Sequence, residues 1–140
     1  MQKKWLILIV IIALLVITIS GVYVLIDRFF PKAGPIKCPN IESITAISLI
    51  QNNDISVMVE TTKFGEFLQN IRNAQPTRIM SVNDYPTATN YYTLEINTSE
   101  REYQYYIYRE NSEVYIEIPY EGIYKSKQQF LNFVIEYFKK

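Results

Sequence analysis

The sequence predicts an α+β protein: an N-terminal transmembrane helix, then a small antiparallel sheet with two helices packed on one side, in the order β-β-α-β-β-β-β-α. Three observations carry this expectation. Residues 5–26, WLILIVIIALLVITISGVYVLI, contain no charged side chain. Beyond residue 41, short stretches alternate apolar with polar or small residues, as half-buried strands do. Two further stretches place apolar residues three and four apart, the stripe of an amphipathic helix.

At about 1.5 Å per residue, the apolar run extends roughly 33 Å, enough to cross a hydrocarbon core of about 30 Å. Trp5 and Tyr23 stand near its ends, where amphipathic rings favour the headgroup layer. A domain this small cannot surround such a helix, so a buried core helix is excluded. Lys3 and Lys4 precede the run and favour a cytoplasmic N-terminus. Asp27, Arg28, Lys32 and Lys37 follow it, so the charge asymmetry is incomplete. The run is longer than the apolar core of about 7–15 residues in a cleaved signal peptide, and no small-x-small site closes it. The expectation is an uncleaved signal anchor in the plasma membrane: residues 1–4 cytoplasmic, 5–26 spanning, 27–40 a connector and 41–140 an extracytoplasmic domain.

Pro31, Gly34, Pro35 and Pro39 stiffen the connector. Ile44–Ile50 and Ile55–Glu60 alternate as two strands, with the turn QNND between them. Phe64, Phe67, Leu68 and Ile71 then form a helical stripe, with Thr61 or Thr62 able to cap it. Thr77–Val82 reads as a strand and Asn83–Pro86 as a turn. Three strands follow, at Tyr91–Asn97, Glu102–Arg109 and Val114–Ile118. Pro119 ends the third because it has no N–H for the ladder, and Gly122 permits a turn. Ser126 and Gln129 match a capping box. Phe130, Leu131, Val134, Tyr137 and Phe138 give the last helix its apolar face.

Several chemistries are excluded by what the chain lacks. It has no histidine and one cysteine, Cys38, so histidine-based triads, thiolate clusters and the common zinc sets are out of reach, as is an intrachain disulfide. The four glycines are scattered, so no phosphate loop is present. Asn52–Asp54 lacks the spacing of a calcium loop. No metal or cofactor is expected. Residues 38–140 carry nine Lys/Arg and thirteen Asp/Glu, a net of −4. That balance disfavours nucleic acid. It suits a cationic peptide, a cell-envelope protein or a neutral glycan as partner, beside the lipid bilayer itself.

Strand alternation assigns faces. Tyr92, Leu94, Ile96, Tyr103, Tyr105, Ile107, Val114, Ile116 and Ile118 share the side that packs on the helices. The other side carries Tyr91, Thr93, Glu95, Gln104, Tyr106, Tyr108, Tyr115 and Glu117. Read as open, that side is an aromatic platform edged with carboxylates. Tyr91, Glu95, Tyr106, Tyr108, Tyr115 and Glu117 are its candidate ligand-binding residues. An open platform also predicts that serine at Tyr106 and Tyr108 leaves folding intact. The alternative is a carboxylate-dependent hydrolase of cell-wall glycans using Asp84 and Glu117, which requires the two acids about 5–9.5 Å apart across a cleft. No catalytic residue is assigned under the leading, non-catalytic reading.

The stretches SVNDYP (Ser81–Pro86) and YIEIPYEGIY (Tyr115–Tyr124) resemble an uncharacterised family of small Gram-positive bacterial proteins, membrane-anchored or secreted, that carry SVND-x-P and Y-I-E-x-P-Y-x-G-I-Y stretches. The resemblance implies an extracytoplasmic address and brings no catalytic or binding residue with it. Together with the residues, it gives the expectation of a membrane-anchored binding module.

Overall fold

The computed structural model describes residues 2–52 and 54–139. It divides into two compact units, residues 1–32 and 33–140.

The first unit is one helix, α1 (Gln2–Phe29), of 28 residues. Its mean hydropathy reaches 3.0 over the most apolar window, and at about 1.5 Å per residue it measures roughly 42 Å. The helix is long and apolar enough to span a membrane. Thr18 returns its hydroxyl to the carbonyls of Leu14 and Leu15 at 3.0 and 2.9 Å, so this polar group is satisfied within the helix, as lipid requires.

The second unit contains β1 (Ile44–Gln51), β2 (Ile55–Met58), α2 (Phe64–Arg72), β3 (Gln75–Pro76), β4 (Tyr91–Thr98), β5 (Glu102–Glu110), β6 (Glu113–Ile118), β7 (Gly122–Ser126) and α3 (Gln128–Glu136). The strands make one sheet of seven in the order β2-β1-β4-β5-β6-β7-β3, antiparallel at every pairing. Local chemistry sets the turns. Asn111 and Ser112 adopt φ of +49° and +67° between the paired Glu110 and Glu113, a two-residue turn whose twist matches the strands it joins. Asn52 likewise takes φ +48° where β1 ends. The QNND turn expected there includes Asn53, which lies outside the described residues.

Both helices pack on one side of the sheet. Ile47, Leu49, Leu94, Ile96, Tyr105, Ile107, Val114 and Ile116 meet Phe64, Phe67, Leu68 and Ile71 of α2 and Phe130, Leu131 and Val134 of α3. Phe67 is central, its ring centroid 4.9 Å from that of Phe133 and 6.1 Å from that of Phe130. The α+β class and the strand faces on this side are therefore those expected.

Four local expectations are corrected. Residues 122–126 form strand β7, where the expected order has no strand between Ile118 and the last helix. Thr77–Val82 is not a full strand: β3 stops at Pro76, and the chain stays on the β7 edge only through Thr77 and Ile79. Neither expected cap forms. A 3-10 turn over Thr61–Lys63 precedes α2, and Lys127 rather than Ser126 caps α3, in both cases without a side-chain bond.

The later part of the connector joins this packing. Ala33 N–H donates to the Thr77 carbonyl at 3.0 Å, Tyr105 OH donates to the Lys37 carbonyl at 3.1 Å, and Ile36 and Cys38 sit against the core. At Gly122 the approach is closest, since a Cβ there would stand 2.6 Å from the Ala33 Cβ at φ +156°. Gly122→Ala should therefore lower the unfolding free energy by about 1–3 kcal/mol, as overpacking does. In the same denaturant titration, adding Ala33→Gly should restore only the part of the loss that comes from the Ala33 contact, because φ +156° at position 122 strains any side chain there. A Gly122→Ala protein as stable as the parent would refute the contact.

Candidate functional site

The face away from the helices is built in rows. Antiparallel register sets Tyr91, Tyr108, Tyr115 and Lys125 side by side across β4–β7, and next to them Thr93, Tyr106, Glu117 and Ile123. Glu95 lies between Ser48 of β1 and Gln104 of β5. The grouping of these residues on one side is as strand alternation demands.

That side is not an open platform. Residues 77–90 cross it as an irregular strap, which leaves the β7 edge at Ile79 and reaches β4 at Tyr91. Ser81 is buried on the way and donates to Glu117 Oε1 at 2.7 Å. The Tyr85 ring lies on Tyr106 with centroids 5.9 Å apart, and Tyr91 meets the same ring edge-on at 5.5 Å. Tyr106, Tyr108, Thr93 and Glu117 are only 1, 4, 1 and 5 % exposed, which corrects the expected exposure of Tyr106, Tyr108 and Glu117. Tyr91, Glu95 and Tyr115 are half-buried. The cover is made by strap rather than helix.

On this face the polar groups other than Thr93 Oγ1 find partners. Glu117 accepts from Ser81 at one oxygen and from Tyr108 OH at the other, at 3.0 Å. Tyr106 OH donates to Gln104 Oε1 at 3.1 Å, and Ser48 Oγ donates to Glu95 at 3.2 Å. Outside, Tyr120 OH donates to Asp84 Oδ1 at 2.6 Å and pins the strap from its far side. Tyr120 holds φ +61°, an uncommon conformation for an aromatic residue. Burial raises the Tyr108 phenol well above its usual range, and the adjoining Glu117 carboxylate adds to the effect. Tyr106 is pushed up to about 12 by burial first, then by Tyr85 and Tyr91.

A pocket of about 240 Å³ opens between strap and sheet. Tyr108, Tyr115 and Glu117 form its floor, and Ile79, Met80 and Val82 its strap wall. Glu110 stands at its edge, and no basic side chain lines it among the described residues. Of the six candidate binding residues the structure brings Tyr108, Tyr115 and Glu117 into this pocket. Tyr91, Glu95 and Tyr106 lie elsewhere on the face. Asp84 does not line the pocket either, so the acid pair Asp84 and Glu117 shares no concavity there. Among the described residues no three acidic or cysteine side chains gather as a cation site. The strap residues Ile79, Met80 and Val82 were missed in the sequence because their alternation resembles an ordinary strand.

Comparison with known proteins adds a family and a fold. Residues 32–125 match the DUF5301 family, described as a domain of unknown function (DUF5300). The chain belongs to this family. The matched stretch of the DUF5301 domain holds the strap and strands β1–β6, and ends within β7, before α3. The domain is also similar to the NMR structure of a protein from Ruminococcus gnavus, with a TM-score of 0.57 and 30% identity over 66% of this chain and 91% of that one. Among curated proteins no match to the chain is found.

Burial makes Tyr106 a folding residue. Tyr106→Ser should cost about 3–5 kcal/mol of stability, the scale of emptying a buried aromatic site. Tyr106→Phe should cost only about 1 kcal/mol, for the lost hydrogen bond. The phenol also ties stability to alkaline pH. Below its ordinary value of 10.0 both folded and unfolded chains keep the proton, and up to about 12 the unfolded chain gives it up first, so stability falls as pH rises. The denaturation midpoint should drop across this window, and drop less in Tyr106→Phe. Equal slopes would refute the assignment.

Proposed function

We propose that this protein is a membrane-anchored, extracytoplasmic binding module without catalysis, whose ligand is a peptide segment of a cell-envelope partner seated in the pocket under the strap. The supporting observation is the pocket itself, with tyrosine rings and a carboxylate on its floor and exposed apolar side chains on its wall. Ile79, Met80 and Val82 are 51, 56 and 68 % exposed in near-succession, which is unusual for a strap held only to cover a sheet. A volume of 240 Å³ falls below the roughly 300–1,000 Å³ of pockets for drug-sized molecules. It suits one side chain of a larger partner.

A peptide is favoured over a glycan by the burial of the rings. Sugar stacking needs open aromatic faces, and Tyr106 and Tyr108 offer none. The net charge of −4 over residues 38–140 further favours a cationic partner. In this reading α1 anchors the module with its N-terminus in the cytoplasm, following the lysines at positions 3 and 4.

The test uses the full-length protein in living cells, with a photo-crosslinking amino acid in place of Val82 or, as control, of Asn132 on the exposed side of α3. A discrete peptide or protein adduct is expected from position 82 and none from position 132, and Tyr115→Ser should abolish it. No adduct, or equal adducts from both positions, would defeat the reading. For the address, a membrane-impermeant maleimide should label Ser99→Cys in a Cys38→Ser background in intact cells. Labelling only after lysis would put the domain in the cytoplasm.

A further inference from the structure

Glu117 occupies an unusual position for a carboxyl group. It is 5 % exposed and its hydrogen-bond partners are two neutral hydroxyls, Ser81 and Tyr108. A carboxylate has about four lone-pair sites, so two donors leave it able to accept more. Burial away from water is costly for such a group unless a cation or further donors compensate it. The lysine nearest in register, Lys125 beside Tyr115, is turned to Glu113 at 2.7 Å. Glu110 adds a second carboxylate at the pocket edge, and the lining holds no basic residue among the described ones. The half-buried Tyr115 ring, packed on Tyr108 with centroids 5.9 Å apart and 37° between planes, presents aromatic surface beside the acids. Carboxylates next to aromatic faces at the end of an apolar wall match an ammonium head on an alkyl stem.

We propose that this pocket binds an alkylammonium group, its N–H donors on Glu117, its charge against Tyr115 and Glu110, and its stem along Ile79, Met80 and Val82. The proposal rests on the binding-module reading and names the chemistry that the module recognises. The ammonium can belong to a lysine side chain or to a free amine. Strap geometry lets the group enter without moving a strand, because the wall it slides along is irregular backbone tied down at Ser81 and by the Tyr120–Asp84 bond. Four neighbouring methyl-bearing residues, Ile79, Met80, Val82 and Ile123, line the same space and report on occupancy.

The experiment places the full-length protein in lipid nanodiscs and follows those methyl resonances by NMR. The probes are n-butylammonium, n-butanol of the same length, and a capped Gly-Lys-Gly peptide. Saturable shifts are expected with n-butylammonium and weaker, non-saturating ones with n-butanol. Tighter binding of the peptide assigns the site to a lysine side chain, and tighter binding of the free amine to a small molecule. Glu117→Gln should weaken n-butylammonium by about tenfold or more. Glu110→Gln, at the exposed edge, should weaken it in the same direction and serves if Glu117→Gln does not fold. Equal response to n-butanol and n-butylammonium, or none to either, would overturn the proposal. If the adduct from position 82 persists in that case, the binding-module reading stands and only the ammonium chemistry fails.

Discussion

A sheet has two faces to cover, and in this protein both short helices go to the same one. The second face is covered by a strap of fourteen residues, 77–90, with no ladder of its own beyond Ile79. Everything about the candidate site follows from how that strap is held, and the hold centres on one carboxyl group. Glu117 takes a hydroxyl from the strap and another from the neighbouring strand, at 2.7 and 3.0 Å. Hydrogen bonds to a charged acceptor contribute about 1.5–3 kcal/mol each, comparable to a buried aliphatic side chain. Tyr85 on Tyr106 and Tyr120 on Asp84 add two further points of attachment. Tyr108 and Tyr106 thereby lose access to solvent, and the pocket becomes a slot under the strap.

Much of the fold was legible in the sequence, for reasons that can be traced to individual residues. A strand has a side-chain period of two, so Leu94 and Ile96 could be set on one side and Thr93 and Glu95 on the other before any coordinates. The stripe of Phe64, Phe67, Leu68 and Ile71 likewise admits one orientation for α2. Strand β7 was lost because Pro119 and Gly122 read as punctuation. In the structure Glu121 N–H closes a turn on the Ile118 carbonyl at 3.1 Å and Gly122 opens the next strand. Its Gly122 and Tyr124 are buried and Lys125 exposed, a pattern too short to stand out. Both caps failed because the expected residues are used elsewhere: Thr61 and Thr62 lie in the 3-10 turn ahead of α2, and Ser126 is the last residue of β7, paired with Val114.

The site was less legible than the fold. Sequence alternation tells which residues share a face but carries no information about what lies over that face. The strap is rich in Ser, Asn, Asp, Thr and Pro, types that favour turns wherever they occur, so its composition gives no direction. Tyrosine adds to the ambiguity. It serves an exposed pleated surface and a covered one equally well, provided each buried phenol finds an acceptor. Here Tyr106 has Gln104, Tyr108 has Glu117 and Tyr105 has the Lys37 carbonyl. The partners separate the two cases, and they emerge only with the register.

The two faces of the sheet also differ in how firmly they are closed. On the helix side the seal is apolar, with Ile47, Leu94, Ile96, Ile107 and Ile116 fully buried beneath α2 and α3. Opening it would expose a continuous hydrophobic layer. On the strap side much of the covered surface is already polar, and Thr93 Oγ1 is buried without a hydrogen-bond partner, a defect that costs about 1–3 kcal/mol. Local stability tracks the apolar contacts and backbone ladders that a segment would lose on opening. By both measures the strap costs less to displace than the helix layer. The same segment carries the exposed apolar wall of the pocket, so the proposed binding surface lies on the more displaceable of the two covers.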